Sequence, residues 1–121
     1  MTLEQTNHNA AIIDLVTCRD WVTFVEIRRL LEDRGMDCAG DQCIFIPERP
    51  NTIVWAGMSQ AFTDVMTGLI GQRIFTWPAQ IIIYMVDGGM LNMPLAKRPR
   101  VNQDYKQPHW LPVAFRLEPY K

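Results

Sequence analysis

The chain has 121 residues, a net charge of −1, 48% hydrophobic residues and 21% charged residues. That length fits one domain with an ordinary apolar core, and the composition excludes a disordered chain. Near-neutral charge excludes a protein whose whole surface coats nucleic acid. The longest apolar run, Ile81 to Val86, is six residues, against about 20 for a bilayer span.

Residues 1–8 are polar and lack the cation-then-apolar pattern of a signal peptide. They read as a loose tail. The cysteines are Cys18, Cys38 and Cys43; an odd count without a secretory signal points to a reducing, cytoplasmic setting. A first helix is expected from Asn9 to Cys18, with Ile12, Ile13, Leu15 and Val16 apolar. The next signal is sharper. Thr23-Phe24-Val25-Glu26 matches a capping box, and Val22 and Ile27 are placed as a hydrophobic staple. Phe24, Ile27, Leu30 and Leu31 recur at helical spacing, and Gly35 supplies the stop. This predicts a helix from Phe24 to Arg34.

Cys43 to Ile46 and Thr52 to Trp55 are β-branched and aromatic and flank Pro47-Glu48-Arg49-Pro50-Asn51, which predicts a hairpin. Ser59 is placed to cap a helix from Gln60 to Ile70 that turns Phe62, Val65, Met66 and Leu69 to one side. Ile74 to Trp77 reads as a short strand. Ile81 to Val86 is apolar at both parities, which predicts a central strand covered on both faces. Asp87-Gly88-Gly89 reads as a turn. Met90 to Ala96 follows as a strand that Pro94 pushes toward an edge or a bulge. Leu111, Val113, Phe115 and Leu117 alternate with Pro112, Ala114, Arg116 and Glu118, the pattern of a half-buried strand. The fold class is α+β: about three helices packed on an antiparallel sheet of five or six strands, with no domain boundary. Three short helices cannot cover both faces of such a sheet, so a homodimer is expected.

Charge is segregated. Lys97-Arg98-Pro99-Arg100-Val101-Asn102-Gln103-Asp104-Tyr105-Lys106 carries +3 against −1 for the whole chain, which leaves −4 for the remainder. The stretch lies between two strand-like segments and reads as a basic β-hairpin tip. Lys97, Arg98, Arg100 and Lys106 suit phosphates, and Tyr105 suits stacking on a base. Arg28 and Arg29 on the second helix extend this candidate nucleic-acid surface, although Glu26, Glu32 and Asp33 lie nearby. Trp77 and Trp110, at strand ends, are candidates for a partner interface.

Catalytic signals are weak. Gly57-Met58-Ser59-Gln60-Ala61 approaches a nucleophile elbow, with Asp87 and His109 following in hydrolase order. But the last glycine is replaced by Ala61, Ser59 suits a helix cap, and Asp87 suits a turn. Cys38 and Cys43 form one loose pair where structural zinc needs two tight ones, so no metal is expected. No phosphate-cradling glycine motif is present, and no cofactor is implied.

The order of two helices and a hairpin over residues 9–55, with the capped helix and its Arg28-Arg29 pair, resembles a winged-helix module. The resemblance implies DNA binding. Trp55-Ala56-Gly57-Met58-Ser59 and His109-Trp110-Leu111-Pro112-Val113 are similar to small orphan proteins of mobile gene cassettes, which implies no activity. The reading is therefore a non-enzymatic nucleic-acid-binding or regulatory protein that uses a basic arm. The alternative is a protein- or small-ligand-binding module with no nucleic-acid contact.

Overall fold

The computed structural model describes residues 3–19, 21–46, 49–89, 91–96 and 107–120. Among these the chain is α+β, in the order α1 (Leu3–Cys18), α2 (Phe24–Asp33), β1 (Ala39–Ile46), β2 (Arg49–Met58), α3 (Gln60–Leu69), β3 (Phe75–Pro78), α4 (Ile82–Asp87), β4 (His109–Trp110) and β5 (Val113–Arg116). The basic stretch Lys97 to Lys106 lies outside the described residues.

The capped helices match the sequence reading. The Thr23 hydroxyl accepts the Glu26 amide at 3.2 Å, which is the N-cap half of the expected capping box. The Ser59 hydroxyl accepts the Phe62 amide at 3.1 Å. Phe62, Val65, Met66 and Leu69 are all buried on α3. The hairpin is longer than expected, and β1 and β2 pair antiparallel with several register shifts. The first helix also starts earlier, at Leu3 and not Asn9. The reason is tertiary: His8 is buried, and its Nδ1 accepts Arg34 Nε at 3.2 Å, which ties α1 to the end of α2.

The sheet differs from the expected one. In place of one antiparallel sheet of five or six strands there is a mixed three-stranded sheet, β1-β2-β4, and a separate pair, β3-β5. β4 runs parallel to β2, with Thr52 opposite His109 and Ile53 opposite Trp110. The strand expected from Leu111 to Leu117 is split around Pro112, which has no amide to donate. His109–Trp110 joins one sheet and Val113–Arg116 the other. Among the described residues 91–96 of the strand expected from Met90 to Ala96 there is one bridge, from Leu95 to Trp110. That bridge is parallel, so the flanks of the basic stretch are not the two arms of a hairpin.

The largest departure is the Ile81 to Val86 run. It is the short helix α4 and not a central strand. An all-apolar run has no period that separates strand from helix, and here tertiary contacts decide. Tyr84 is fully buried, and its hydroxyl donates to the Val113 carbonyl at 2.6 Å. Gly88 adopts the left-handed conformation (φ 84°, ψ 21°) that closes a helix, so Asp87-Gly88-Gly89 is a C-terminal stop and not a hairpin turn.

The core is organised around aromatic rings. Trp55 stacks on Phe24 at 5.6 Å and on Tyr84 at 5.4 Å. Trp110 meets Tyr84 edge-on at 5.0 Å, and Phe115 meets Phe24 edge-on at 4.8 Å. Such pairs contribute about 0.5–1.5 kcal/mol each beyond the area they bury. No helix among the described residues is long and apolar enough to cross a membrane.

Candidate functional site

The N-terminus of α2 and the C-terminus of α4 meet at one knot. Thr23 donates its hydroxyl proton to Asp87 Oδ2 at 2.6 Å while it caps α2. The Arg29 guanidinium donates to the Asp87 carbonyl. Asp87 therefore sits where the amide ends of α2 favour a negative charge. Glu26 lies beside it and is paired with Arg19 at 2.9 Å. Burial, reinforced by the neighbouring Asp87, pushes the Glu26 carboxyl above its ordinary range despite Arg19.

One side of this knot is a cleft of about 390 Å³ lined by Val25, Arg28, Arg29, Glu32, Trp55, Ala56, Gly57, Gly88, Gly89 and Leu91. Gly89 packs closely there, because a Cβ would lie 2.6 Å from Val25 Cγ2. Arg28 and Arg29 bring two guanidinium groups to the cleft, and Glu32 is the one carboxylate among its lining residues. Arg28 Nε approaches Glu32 at 3.4 Å, while Arg29 uses one donor on Asp87. A guanidinium has five donors, so most remain for a ligand. The cleft suits a phosphate or carboxylate group. It does not suit base stacking, since Trp55 is buried in its wall.

The other side of the knot is apolar and aromatic. Ile82, Met85 and Val86 are 56%, 59% and 80% exposed. Beside them Trp21 is held at φ 61°, an outlier for a bulky residue. Its ring meets Trp77 edge-on at 5.8 Å, and Trp77 meets Tyr120 at 5.1 Å. The Arg116 guanidinium lies over both indoles, 5.2 Å from Trp21 and 4.6 Å from Trp77.

The residues singled out by sequence fall in different places. Arg28 and Arg29 share the cleft. Lys97, Arg98, Arg100, Tyr105 and Lys106 lie outside the described residues. Trp77 belongs to the aromatic surface, with its indole donating to the Glu118 carbonyl at 2.7 Å. Trp110 is fully buried and donates to the Val54 carbonyl at 3.2 Å, so it serves the core and not an interface.

No triad assembles. Ser59 caps α3, and Asp87 is latched to Thr23. His109 pairs with Thr52 along β2, about 20 Å from Ser59 at the rise of a strand. Among the described residues no group of three or more His, Cys, Asp or Glu is placed to hold a metal. Cys38 is buried, and burial pushes its thiol up to about 11, which makes it a poor nucleophile. Cys18 and Cys43 are exposed free thiols.

Sequence reasoning missed Trp21 and Tyr84. Trp21 sits between two helical patterns, where a lone aromatic gives no periodic signal. Tyr84 was hidden in an apolar run, although its hydroxyl was a cue that one position there needed a polar partner. Comparison with protein-family models, with curated proteins and with solved structures gives no match.

Proposed function

We propose that this chain is a non-enzymatic nucleic-acid-binding or regulatory protein. Phosphates would meet the Arg28–Arg29 cleft and the basic stretch with Lys97, Arg98, Arg100 and Lys106. The observation that carries the reading is the convergence of Arg28 and Arg29 on one open cleft with a single carboxylate in its lining. Their position on a capped helix matters, because α2 holds them in fixed register while leaving guanidinium donors unused. The order α1, α2, β1, β2 is also the order of elements in a winged-helix module, the resemblance that implies DNA binding.

The test is fluorescence anisotropy with labelled duplex DNA and with single-stranded DNA and RNA. Arg28→Glu should weaken binding about tenfold or more. Replacing Lys97, Arg98 and Arg100 together by Glu should abolish it. Tight binding that survives both changes removes the reading.

A second reading, a small-ligand-binding module, rests on a different place. A groove of about 710 Å³ is lined by Pro78, Ile81, Leu95, Leu111, Pro112 and Tyr120, among others. Its size falls in the range of about 300–1,000 Å³ typical of ligand sites. An apolar ligand held there should perturb Ile81→Trp fluorescence and be indifferent to charge reversal at Arg28.

A further inference from the structure

The Arg28–Arg29 cleft is a recess and not a track. We propose that it holds a phosphate monoester, the terminal phosphate of a nucleic-acid strand or of a free mononucleotide, in preference to the internal diesters of a duplex. The proposal rests on the phosphate reading of this cleft and adds which phosphate enters. Three observations carry it.

The first is how the two cations are placed. Successive positions on a helix point about 100° apart, so Arg28 and Arg29 reach the one cavity they both line from different sides. Phosphates of a duplex follow one another at about 3.4 Å along the axis of each strand, and tracking them takes cations in a row. Two guanidinium groups gathered at one recess suit a single group with several oxygens. A terminal phosphate exposes three acceptor oxygens and carries about −1.5 to −2 at pH 7. An internal diester has two free oxygens and a single charge.

The second is that both guanidinium groups are held before a ligand arrives. Arg29 donates through Nη2 to the Asp87 carbonyl. It lies against the Gly88 backbone, where a Cβ would stand 3.3 Å from that nitrogen. Arg28 Nε is buried and faces Glu32 Oε1 at 3.4 Å. Each group is anchored through one nitrogen, which leaves terminal N–H donors for a ligand. A planar fork fixed in this way matches phosphate oxygens in pairs.

The third is the shape of the recess. Its volume of about 390 Å³ is near the lower end of the range of about 300–1,000 Å³ for small-ligand sites. That admits one end group and not a length of duplex. Val25, Trp55 and Leu91 make part of the lining apolar, which strengthens a charged contact inside it. Gly57 keeps it open: a Cβ there would meet nothing within 4 Å, so the missing side chain leaves space and not a packing contact. Glu32 opposes an anion least, because its side chain is 45% exposed and screened by water.

Fluorescence anisotropy of short single strands at one fixed salt concentration tests this, comparing strands that end in a 5′-phosphate, a 3′-phosphate or hydroxyls alone. Adenosine monophosphate and adenosine serve as competitors. A phosphorylated end should tighten binding about tenfold, and the monophosphate should compete where adenosine does not. Arg28→Lys keeps the charge and loses the fork; it leaves the Arg29 contact with Asp87 untouched, so far-UV circular dichroism should be unchanged. In that variant the advantage of the phosphorylated end should fall below about threefold while the hydroxyl strand binds as before. Equal affinity for phosphorylated and hydroxyl strands, both weakened by Arg28→Glu, overturns the monoester inference and leaves the phosphate reading of the cleft standing. An advantage that survives in full in both Arg28→Lys and Arg28→Glu places the monoester elsewhere and also overturns it. Binding of the monophosphate with no binding of any strand supports the inference for a free mononucleotide and removes the nucleic-acid reading. No binding of strand or nucleotide removes both.

Discussion

Helices α3 and α4 are both short and apolar, yet they are specified in opposite ways. α3 carries its instructions locally. Ser59 caps it, and Phe62, Val65, Met66 and Leu69 form one buried side. α4 has no side-chain cap, and its apolar residues point all round. It is helical because distant groups hold it: Tyr84 reaches Val113, and Asp87 is caught by Thr23 and Arg29. Helix formation is thus written in the segment in one case and in the rest of the fold in the other. The second kind leaves part of the helix uncovered, with Ile82, Met85 and Val86 exposed.

The largest expected effect tests whether the two helices are docked equally well. Phe62→Ala removes a fully buried ring from α3 and should cost about 3–5 kcal/mol in chemical unfolding. Tyr84→Ala should cost a similar amount if α4 is held as described. A loss below about 1 kcal/mol would mean that α4 is only loosely attached.

Smaller changes separate local from distant specification. Tyr84→Phe keeps the ring and removes the hydroxyl that donates to Val113 and accepts the Phe24 amide. It should cost about 1–3 kcal/mol, the cost of buried polar groups left without a partner. Ser59→Ala should cost about 1 kcal/mol, the usual value of an N-cap, with the loss confined to α3 in amide exchange. Gly89→Ala should destabilise by about 1–3 kcal/mol through overpacking. Its new methyl would press on Val25, whose branched side chain has little rotameric freedom.

The smallest effect is in pH dependence. Glu26 has its pKa raised above 4.5 in the folded chain by burial and by Asp87. The folded state therefore favours the protonated form. The contribution of Glu26 is fully present below 4.5 and is lost as pH rises through the folded pKa. Urea midpoints should show that Glu26→Gln flattens this decline above about pH 4.5. An unchanged profile would show that Glu26 is not the group responsible.

Much of the first half of the chain was legible in the sequence, because its signals are local: the Thr23–Glu26 capping box, the Ser59 cap, and the β-branched runs around a proline turn. Residues 81–117 were not, for reasons that are physical. Ile81 to Val86 fits either a buried strand or a buried helix. Asp87-Gly88-Gly89 fits either a hairpin turn or a left-handed helix stop. The choice rests on Thr23, more than sixty residues away. Pro112 breaks a strand that the alternation of residues 111–117 suggested was continuous. For the candidate site, adjacency of Arg28 and Arg29 was visible, but the rest of the lining, Trp55, Gly57, Gly88, Gly89 and Leu91, was not. The aromatic surface joins Trp21, Trp77, Arg116 and Tyr120 from three separate parts of the chain, and no spacing rule brings those together.

The most direct test of nucleic-acid binding is the salt dependence of the affinity of the full chain for labelled DNA and RNA, followed by anisotropy between about 50 and about 200 mM salt. If Arg28, Arg29, Lys97, Arg98, Arg100 and Lys106 all contact phosphates, log K against log salt concentration should fall with a slope of about −5 on duplex DNA. The slope should lose about one unit in Arg28→Glu. Affinity indifferent to salt, or a slope unchanged in that variant, would contradict the assignment of these residues to a polyanion.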